Sequence, residues 1–254
     1  MTWWHAVIVL LAGVWAGAIN AVVGSGTLVT FPVLVALGYP PVTATTSNAL
    51  GLAPGTISGA IGYRHELTGQ ARRLVRYSVP SLLGAIGGTA LLLSLPPNAF
   101  ETIVPVLVGI AVVLVIVQPW ISARVAIRRA RSDTVAGHGG PLLLFLIFLV
   151  GVYGGYFTAA QGVMLMGIMG MMLTDSMQRL NGIKNVLAAV VNVVAGVIYA
   201  FVAPISWPVV GLLAVGSTLG GQLGAKIGRR LSPTVLRGVI VVVGLAAIVQ
   251  LVLR

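Results

Sequence analysis

The sequence has few charged residues. Only 7% of its 254 residues are charged, compared with about 25% in an ordinary soluble domain. Hydrophobic residues make up 58% of the chain, and 15 basic with 4 acidic side chains cannot cover the surface of a soluble domain of this length. The composition therefore predicts a polytopic membrane protein. It excludes a soluble enzyme, a disordered segment and a nucleic-acid-binding module.

Cysteine and clusters of catalytic side chains are also missing. The absence of cysteine excludes disulfides and thiol chemistry. The few acids and histidines fall in or beside the expected loops or near segment ends, so no carboxylate pair, histidine cluster or nucleophile lies within an apolar run. We therefore expect no enzyme activity, no metal and no cofactor. Asp175, followed three residues later by Gln178, has the pattern of a helix N-cap.

The chain does contain long apolar runs. Spanning the hydrocarbon core of a bilayer takes about 20 apolar residues, and the runs between proline, glycine and charged clusters give ten segments. They are approximately 4–23, 27–37, 43–63, 75–95, 100–121, 141–160, 163–173, 177–202, 207–225 and 234–253. We interpret the chain as a first transmembrane repeat (1–121), a basic cytoplasmic linker (122–140) and a second transmembrane repeat (141–254).

Two of the ten segments are too short to cross a bilayer. Segments 27–37 and 163–173 would each rise only about 16 Å as helices. The first follows a break at Gly24-Ser25-Gly26, and the second follows Gln161-Gly162. Each is better interpreted as the second arm of an interrupted helix or as part of a re-entrant hairpin than as a full span.

The same residue types recur in the same order in both halves of the chain. When one half is laid over the other, with small adjustments for loop length, Gly13 pairs with Gly151, Gly17 with Gly155, Gly24 with Gly162, Asn48 with Asn185, Gly59 with Gly196 and Gly87-Gly88 with Gly220-Gly221. The shared order of these pairs predicts an internal repeat of about five segments.

Basic residues fall on alternate connections between segments. The net charge of +11 comes largely from the connections near 64–76 and 122–140 and those before segments eight and ten, whereas the connections near 38–42, 96–99 and 203–206 carry no basic residue. Lysine and arginine mark cytoplasmic loops. The connection at 64–76 is therefore inside and its counterpart at 203–206 is outside. The pattern predicts inverted halves with both termini outside.

The two breaks predict an anion site. A helix that begins within the membrane has unpaired N–H groups and about half a positive charge at its first turn. Ser25, Gly26 and Thr27 lead into one short arm, and Gln161 and Gly162 lead into the other. If these two ends converge, their donors favour a small anion. The alternative is that the glycines are only packing notches or kinks.

Polar residues in segments three and eight complete the expected site. Ser47 and Asn48 belong to segment three, and Lys184 and Asn185 belong to segment eight. We expect the two aligned asparagines to line the cavity, although hydrogen bonds between helices would also satisfy them. Lys184 is expected to be the counter-charge of the substrate. Alternatively, it extends to the cytoplasmic surface or pairs with Asp175.

Three glycines recur every four residues in segment nine, at Gly216, Gly220 and Gly224. Small residues at this spacing allow helix backbones to approach closely. The row is expected either to hold the two halves of the chain together or to form a homodimer.

The glycine-rich runs resemble a known family. GAINAVVGSG at 17–26, Phe31-Pro32 and GYPPVTATTSN at 38–48 resemble the first repeat of the TauE/SafE sulfite exporter family, and 151–162 and 180–196 resemble its second repeat. The second break departs from the first, with Gln161 and Val163 where the first has Val23 and Ser25. The resemblance implies a bacterial inner-membrane permease for sulfur-containing or organic anions such as sulfite, sulfoacetate or related sulfonates.

Together these observations predict an all-α integral membrane protein. It contains two inverted-topology repeats of about five helical segments each, with one short, interrupted or re-entrant helix per repeat. The predicted function is transport of a small anion by alternating access, with the anion and the lipid bilayer as partners and no nucleic acid. An anion channel and a non-transporting membrane scaffold or assembly subunit are the alternatives.

Overall fold

The computed structural model describes residues 2–130, 139–227, 238, 240–246 and 249. The regular structure in these residues is helical. The helices are α1 (Trp3–Val22), α2 (Thr27–Ala36), α3 (Pro41–Gly62), α4 (Ala71–Ser94), α5 (Pro97–Ala130), α6 (Pro141–Tyr156), α7 (Gln161–Met172), α8 (Met177–Val202) and α9 (Trp207–Ile227), with a 3-10 turn at Thr158–Ala160 before α7.

Five helices in the described residues are long and apolar enough to cross a membrane. They contain the stretches Trp3–Val22, Ala71–Ser94, Asn98–Trp120, Met177–Val202 and Trp207–Lys226. Large apolar side chains cover the outside of the bundle, where the exposed fraction reaches 84% for Phe201. Such a surface requires an apolar surrounding, so this is a multi-pass membrane protein.

Several segment boundaries differ from the expected ones. The linker expected at 122–140 is helical at its start, because α5 continues to Ala130. The sixth segment, expected at 141–160, ends at Tyr156, where Phe157 adopts an extended backbone. The tenth segment, expected at 234–253, lies largely outside the described residues and is helical at 238, 240–246 and 249.

Helix α9 packs closely against α1 through its glycine row. A Cβ atom at Gly216 would come within 2.5 Å of the Leu10 carbonyl oxygen, and one at Gly220 would overlap the carbonyl of Val14. A Cβ atom at Gly224 would lie 2.7 Å from another carbonyl oxygen of α1. The row therefore joins two helices of one chain, and α1 occupies the face that was the candidate for a homodimer contact.

Helix α4 packs against α6 in the same way. A Cβ atom at Gly84 would overlap the carbonyl of Phe148, and one at Gly88 would overlap that of Val152. Side chains larger than hydrogen at these positions would push the two helices apart, so glycine is required by the close approach of the backbones.

These two helix contacts use residues at matching places in the two halves of the chain. The sequence shift that pairs Gly24 with Gly162 also pairs the carbonyls of α1 that contact α9 with the carbonyls of α6 that contact α4. A slightly smaller shift pairs the contacting glycines of α4 with those of α9. Gly88 thus corresponds to Gly220, whereas the glycine pattern of the sequence pairs Gly87 with Gly220. One type of helix contact is built twice, between α1 and α9 and between α4 and α6.

Candidate functional site

The first break separates α1 from α2. Helix α1 ends at Val22, and Gly24 has a φ of +93°, a backbone conformation that favours glycine. The N–H groups of Val23 and Gly24 both donate to the Ile19 carbonyl. The side chain of Asn20 then accepts a hydrogen bond of 2.6 Å from the N–H of Gly26, the residue before α2. An asparagine in the last turn of α1 therefore caps the start of the next helix.

The second break separates α6 from α7. Phe157 leaves the helix with an extended backbone (φ −156°, ψ 100°), and its N–H donates to the Tyr153 carbonyl. The 3-10 turn Thr158–Ala160 follows, and α7 begins at Gln161. The side chain of Gln161 lies over Gly154, where a Cβ atom would come 2.7 Å from its amide carbon. A glycine in α6 thus makes room for this glutamine.

The two breaks are in contact, so the condition set for the anion site, that the two helix starts converge, is met. The N–H of Gly162 donates to the carbonyl of Gly24 at 3.0 Å, and a Cβ atom at Gly24 would come 2.5 Å from the Cα of Gly162. The hydroxyl oxygens of Thr27 and Thr158 lie 2.8 Å apart and share a hydrogen bond. The start of α2 and the start of α7 therefore meet at one place.

A small polar cavity lies at this junction. Its volume is about 10 Å³, which is roughly the room that one water molecule needs. Its lining residues come from both halves of the chain: Asn20, Gly24, Thr27, Thr56, Thr158, Gln161, Gly162, Lys184, Ala188 and Asn192. A larger groove of about 570 Å³ lies elsewhere, with walls that are apolar except for Arg64, and it is open to the surroundings. The small cavity is the candidate site because it collects the polar groups.

Lys184 is the cation of this cavity. Its side chain is fully buried, and its Nζ donates to the carbonyls of Asn20 at 2.9 Å and Ala21 at 3.3 Å. It therefore does not extend to the surface. Among the described residues no acid lies beside it, and Asp175 binds arginines instead. Since a buried charge without an opposite charge is costly, Lys184 is the strongest electrostatic feature of the cavity.

Two further side chains at the cavity have an unused polar atom. Gln161 and Asn192 are both almost fully buried. In the described part of the chain, Gln161 Nε2 and Asn192 Oδ1 have no hydrogen-bond partner. The same holds for the hydroxyl of Ser25, which is buried in the first break. Unsatisfied buried groups of this kind are rare, and they give the cavity a free amide donor beside its cation.

The glycine amides of the breaks are already used in this structure. The N–H of Gly26 binds Asn20, and the N–H of Gly162 binds the Gly24 carbonyl. The donors expected from these backbone groups are thus replaced by side-chain donors. Gln161, the first residue of α7, brings both its amide and the positive end of the helix dipole to the cavity.

The other residues expected at the site lie beside it. Asn48 binds α2, since its Oδ1 accepts from Thr30 at 2.5 Å and its Nδ2 donates to Thr27 at 3.0 Å. Asn185 donates to the Ala21 carbonyl at 3.3 Å. Ser47 accepts from a backbone N–H of the α8–α9 connection. These three residues hold the helices around the cavity but do not line it.

Sequence reasoning missed three residues that line the cavity: Asn20, Thr56 and Thr158. A signal existed for Asn20, which is the one amide side chain within the apolar helix α1 and lies four residues before Gly24. Asn192 of α8 also lines the cavity. Thr56 bonds the carbonyls of its own helix, and nothing in its sequence context distinguishes it.

A second polar cluster lies at one end of the bundle. Asp175 is almost fully buried and accepts from Arg73 of α4 at 2.6 Å and from Arg179 of α8 at 3.3 Å. Burial alone would raise the pKa of Asp175, but the hydrogen bonds and charges of the two arginines outweigh it and hold the pKa below its ordinary value. The expected N-cap role is wrong, because Ser176 accepts the N–H of Arg179 at 3.2 Å.

The whole chain matches a known family of transporters. The profile of the sulfite exporter TauE/SafE family matches residues 9–251. The chain belongs to this family. Membership in a family of exporters agrees with the apolar helices.

Curated relatives cover almost the same length. A probable membrane transporter protein, YfcA of Escherichia coli K12, is 25% identical over 236 residues, which cover 90% of this chain and 82% of that protein. A probable membrane transporter protein of Haemophilus influenzae is 25% identical over 92% of this chain and 89% of its own length. No solved structure matches the chain significantly. The relatives indicate a membrane transporter rather than an enzyme.

Proposed function

We propose that the protein is an inner-membrane carrier that moves a small anion by alternating access. The observation that carries this proposal is the cavity at the junction of the two breaks, where buried Lys184 has no acidic partner among the described residues. An unpaired buried cation, a free amide of Gln161 and the N-terminus of α7 all favour negative charge.

The proposed architecture is a pair of inverted repeats. Support comes from the matching helix contacts of α1 with α9 and α4 with α6. Further support comes from Gly24 and Gly162, which occupy equivalent positions in the two halves of the sequence and are in direct contact. Two equivalent residues can touch only near the axis that relates their repeats. Carriers with inverted repeats and interrupted helices bind their substrates at such an axis.

The proposed orientation places the basic connections in the cytoplasm and both termini outside. In support, Arg179 of α8 donates to the carbonyl of Glu66 in the α3–α4 connection, so two connections that are expected inside lie at one end. Thr46 donates to the carbonyl of Pro204 at 2.6 Å, so two connections that are expected outside also lie together. Loops rich in lysine and arginine face the cytoplasm.

The proposed substrates are sulfur-containing or organic anions such as sulfite or a sulfonate. The family's name supports this class, and the donors at the cavity suit the oxygen atoms of sulfite, sulfonate or carboxylate groups. In this structure the cavity holds about one water molecule. Binding therefore requires the helices around the break to separate, as an alternating-access cycle provides.

Purified protein in liposomes tests the proposal. Uptake of radiolabelled sulfite, thiosulfate, sulfoacetate and acetate is measured against empty liposomes, with and without unlabelled anion inside. A carrier shows saturable uptake of at least one sulfur anion and faster uptake when unlabelled anion is trapped inside. Unsaturable flux with single-channel currents would favour an anion channel, and the absence of any flux would favour a scaffold; either result overturns the carrier proposal.

A further inference from the structure

The surroundings of Lys184 determine whether its amine is protonated in the empty carrier. Its side chain is fully buried, and its Nζ bonds are to two backbone carbonyls, those of Asn20 and Ala21. Carbonyl dipoles do not neutralise an ammonium group, and a buried unpaired charge favours its neutral form. A bound anion supplies the missing opposite charge, so the protonated form is favoured when the site is occupied.

No other ionisable group of the described residues lines the cavity. The ionisable side chains on the helices that pack against α8 are not among the residues that line the cavity. These ionisable side chains are His5 on α1, Arg72, Arg73, Arg76 and Tyr77 on α4, and Tyr153 and Tyr156 on α6, with Tyr63 following α3 and Arg179 and Tyr199 on α8 itself. Any exchange of a proton at the cavity is therefore centred on Lys184.

The hydrogen-bond geometry fits two protonation states. A protonated lysine has three N–H donors, and the neutral amine has two. The two carbonyls use two donors, which both states possess. The third hydrogen exists only in the ammonium form and makes no hydrogen bond within the described residues, although the free Oδ1 of Asn192 lines the same cavity. An anion in the cavity is its natural acceptor.

We propose that Lys184 couples anion transport to protons, so that each anion crosses together with one proton carried on Nζ. This inference rests on the proposed carrier function. On the loading side water delivers a proton to Nζ, and the N–H bond forms as the anion binds. On the release side the anion leaves and the same proton returns to water. The empty carrier then reorients with Lys184 neutral. No electron transfer and no covalent bond to the substrate are involved.

The protonation of Lys184 can be observed directly because the chain has only two lysines, Lys184 and Lys226. Lys226 is exposed at the end of α9 and is an internal control. The protein is labelled with ¹³C and ¹⁵N at lysine, placed in lipid nanodiscs and observed by NMR with and without thiosulfate or sulfoacetate. Both probes stay fully ionised at neutral pH, so a proton bound on their addition is bound by the protein.

We expect the Lys184 signals to move from those of an amine to those of an ammonium group when either anion is added at constant pH. The Lys226 signals should stay those of an ammonium group throughout. If the anion perturbs Lys184 but Lys184 is an ammonium group both before and after, proton coupling is wrong and the carrier proposal stands. If neither anion binds, the proposed substrate class fails, and the inference fails with it.

Transport gives a second, independent test. Each of these dianions still carries a net negative charge when it crosses with one proton, so the membrane potential is held at zero. In liposomes with an alkaline interior, one coupled proton then yields roughly tenfold more accumulated thiosulfate or sulfoacetate per unit of pH difference. The variant Lys184→Arg keeps a positive charge but cannot release its proton. It should lose net uptake driven by the pH gradient by a larger factor than it loses exchange of internal for external anion, while Lys226→Arg behaves as wild type.

Two results would overturn the coupling. One is wild-type uptake of these anions that ignores the pH gradient, and the other is unchanged gradient-driven uptake by Lys184→Arg. If Lys184→Arg does not fold, the NMR comparison on the wild-type protein decides alone, because it needs no variant. If the wild type shows neither exchange nor net uptake, the carrier function itself is contradicted, and not only its coupling to protons.

Discussion

Basic side chains are bound in two different ways at two places in the molecule. At one end of the bundle, Arg73 and Arg179 share the carboxylate of Asp175. At the junction of the breaks, Lys184 is more deeply buried and binds only carbonyls. A cation that is paired with an acidic side chain of the same protein holds parts of the chain together. A cation without one leaves its opposite charge to be supplied by a ligand, and this contrast separates a structural cluster from a binding site.

The sharpest test of this contrast exchanges each cation for a neutral side chain. Lys184→Met should lower anion transport about 10- to 100-fold, because a hydrogen bond to a charged group contributes roughly 1.5–3 kcal/mol. Its thermal unfolding midpoint should not fall, because burying a lysine without an acidic partner costs free energy whether its amine stays charged or gives up its proton. Transport is measured in liposomes, and unfolding is followed in detergent.

The matched variant Arg73→Met should show the reverse behaviour. It leaves Asp175 buried with only the half-exposed Arg179, so the unfolding midpoint falls, while folded protein in liposomes keeps most of its transport. Equal transport losses in the two variants would show that the two clusters do not differ in the way proposed.

One added methyl group should push the two breaks apart. In Gly162→Ala the new Cβ would overlap the Cα of Gly24, and overpacking of this kind costs about 1–3 kcal/mol. We expect a lower unfolding midpoint and slower transport. Gly109→Ala is the control, because its Cβ meets no atom within 4 Å and alanine favours a helix. If both variants resemble the wild type, the breaks are not held in contact.

The carboxylate cluster should depend on acidity. The folded-state pKa of Asp175 lies below its ordinary value, which is about 3.9 in an unfolded chain. Its contribution to stability is therefore complete above the unfolded value and is lost as the pH falls through the lowered folded value. Unfolding midpoints measured from neutral to acidic pH should fall less steeply in Asp175→Asn than in the wild type. Identical pH profiles would show that this carboxylate does not stabilise the fold.

The smallest expected effect concerns the free amide at the cavity. Gln161→Leu removes the unpartnered Nε2, and a neutral hydrogen bond contributes about 0.5–1.5 kcal/mol, so anion affinity should fall about two- to tenfold. Gln222→Leu is the matched control, since Gln222 donates to a backbone carbonyl of α3 and does not line the cavity. Calorimetric titration measures both, and equal affinities in the two variants would remove Gln161 from the site.

Local signals in the sequence were sufficient to place the first break and most helices. The second break was expected at Gln161-Gly162 but lies at Phe157–Ala160, and Gln161 already begins α7. Glycine clusters between apolar runs located the ends of α1 and α2 within a residue or two. Charged clusters were less reliable guides, because a polar stretch can remain helical: α5 continues to Ala130 through residues that were expected to form a linker. Arginines in such a stretch favour a helix as well as a loop.

The candidate site was predictable only in part. Four of the residues named from the sequence, Thr27, Gln161, Gly162 and Lys184, line the cavity, and their role in binding an anion stays a prediction. The partners of the glycine amides were not predictable, because whether Gly26 binds Asn20 or a ligand depends on the angle at which two helices meet. Asn185 was expected to line the cavity, but its amide donates to the Ala21 carbonyl, which Lys184 also binds, and this shared partner could not be predicted from the sequence.

The central claim is that Lys184 binds the transported anion. Calorimetric titration of sulfite, thiosulfate and sulfoacetate into wild type, Lys184→Met and Lys226→Met tests it most directly. Saturable binding of at least one anion to the wild type and to Lys226→Met, with binding to Lys184→Met weakened tenfold or more, is the predicted result. Equal affinity in all three proteins would contradict the claim.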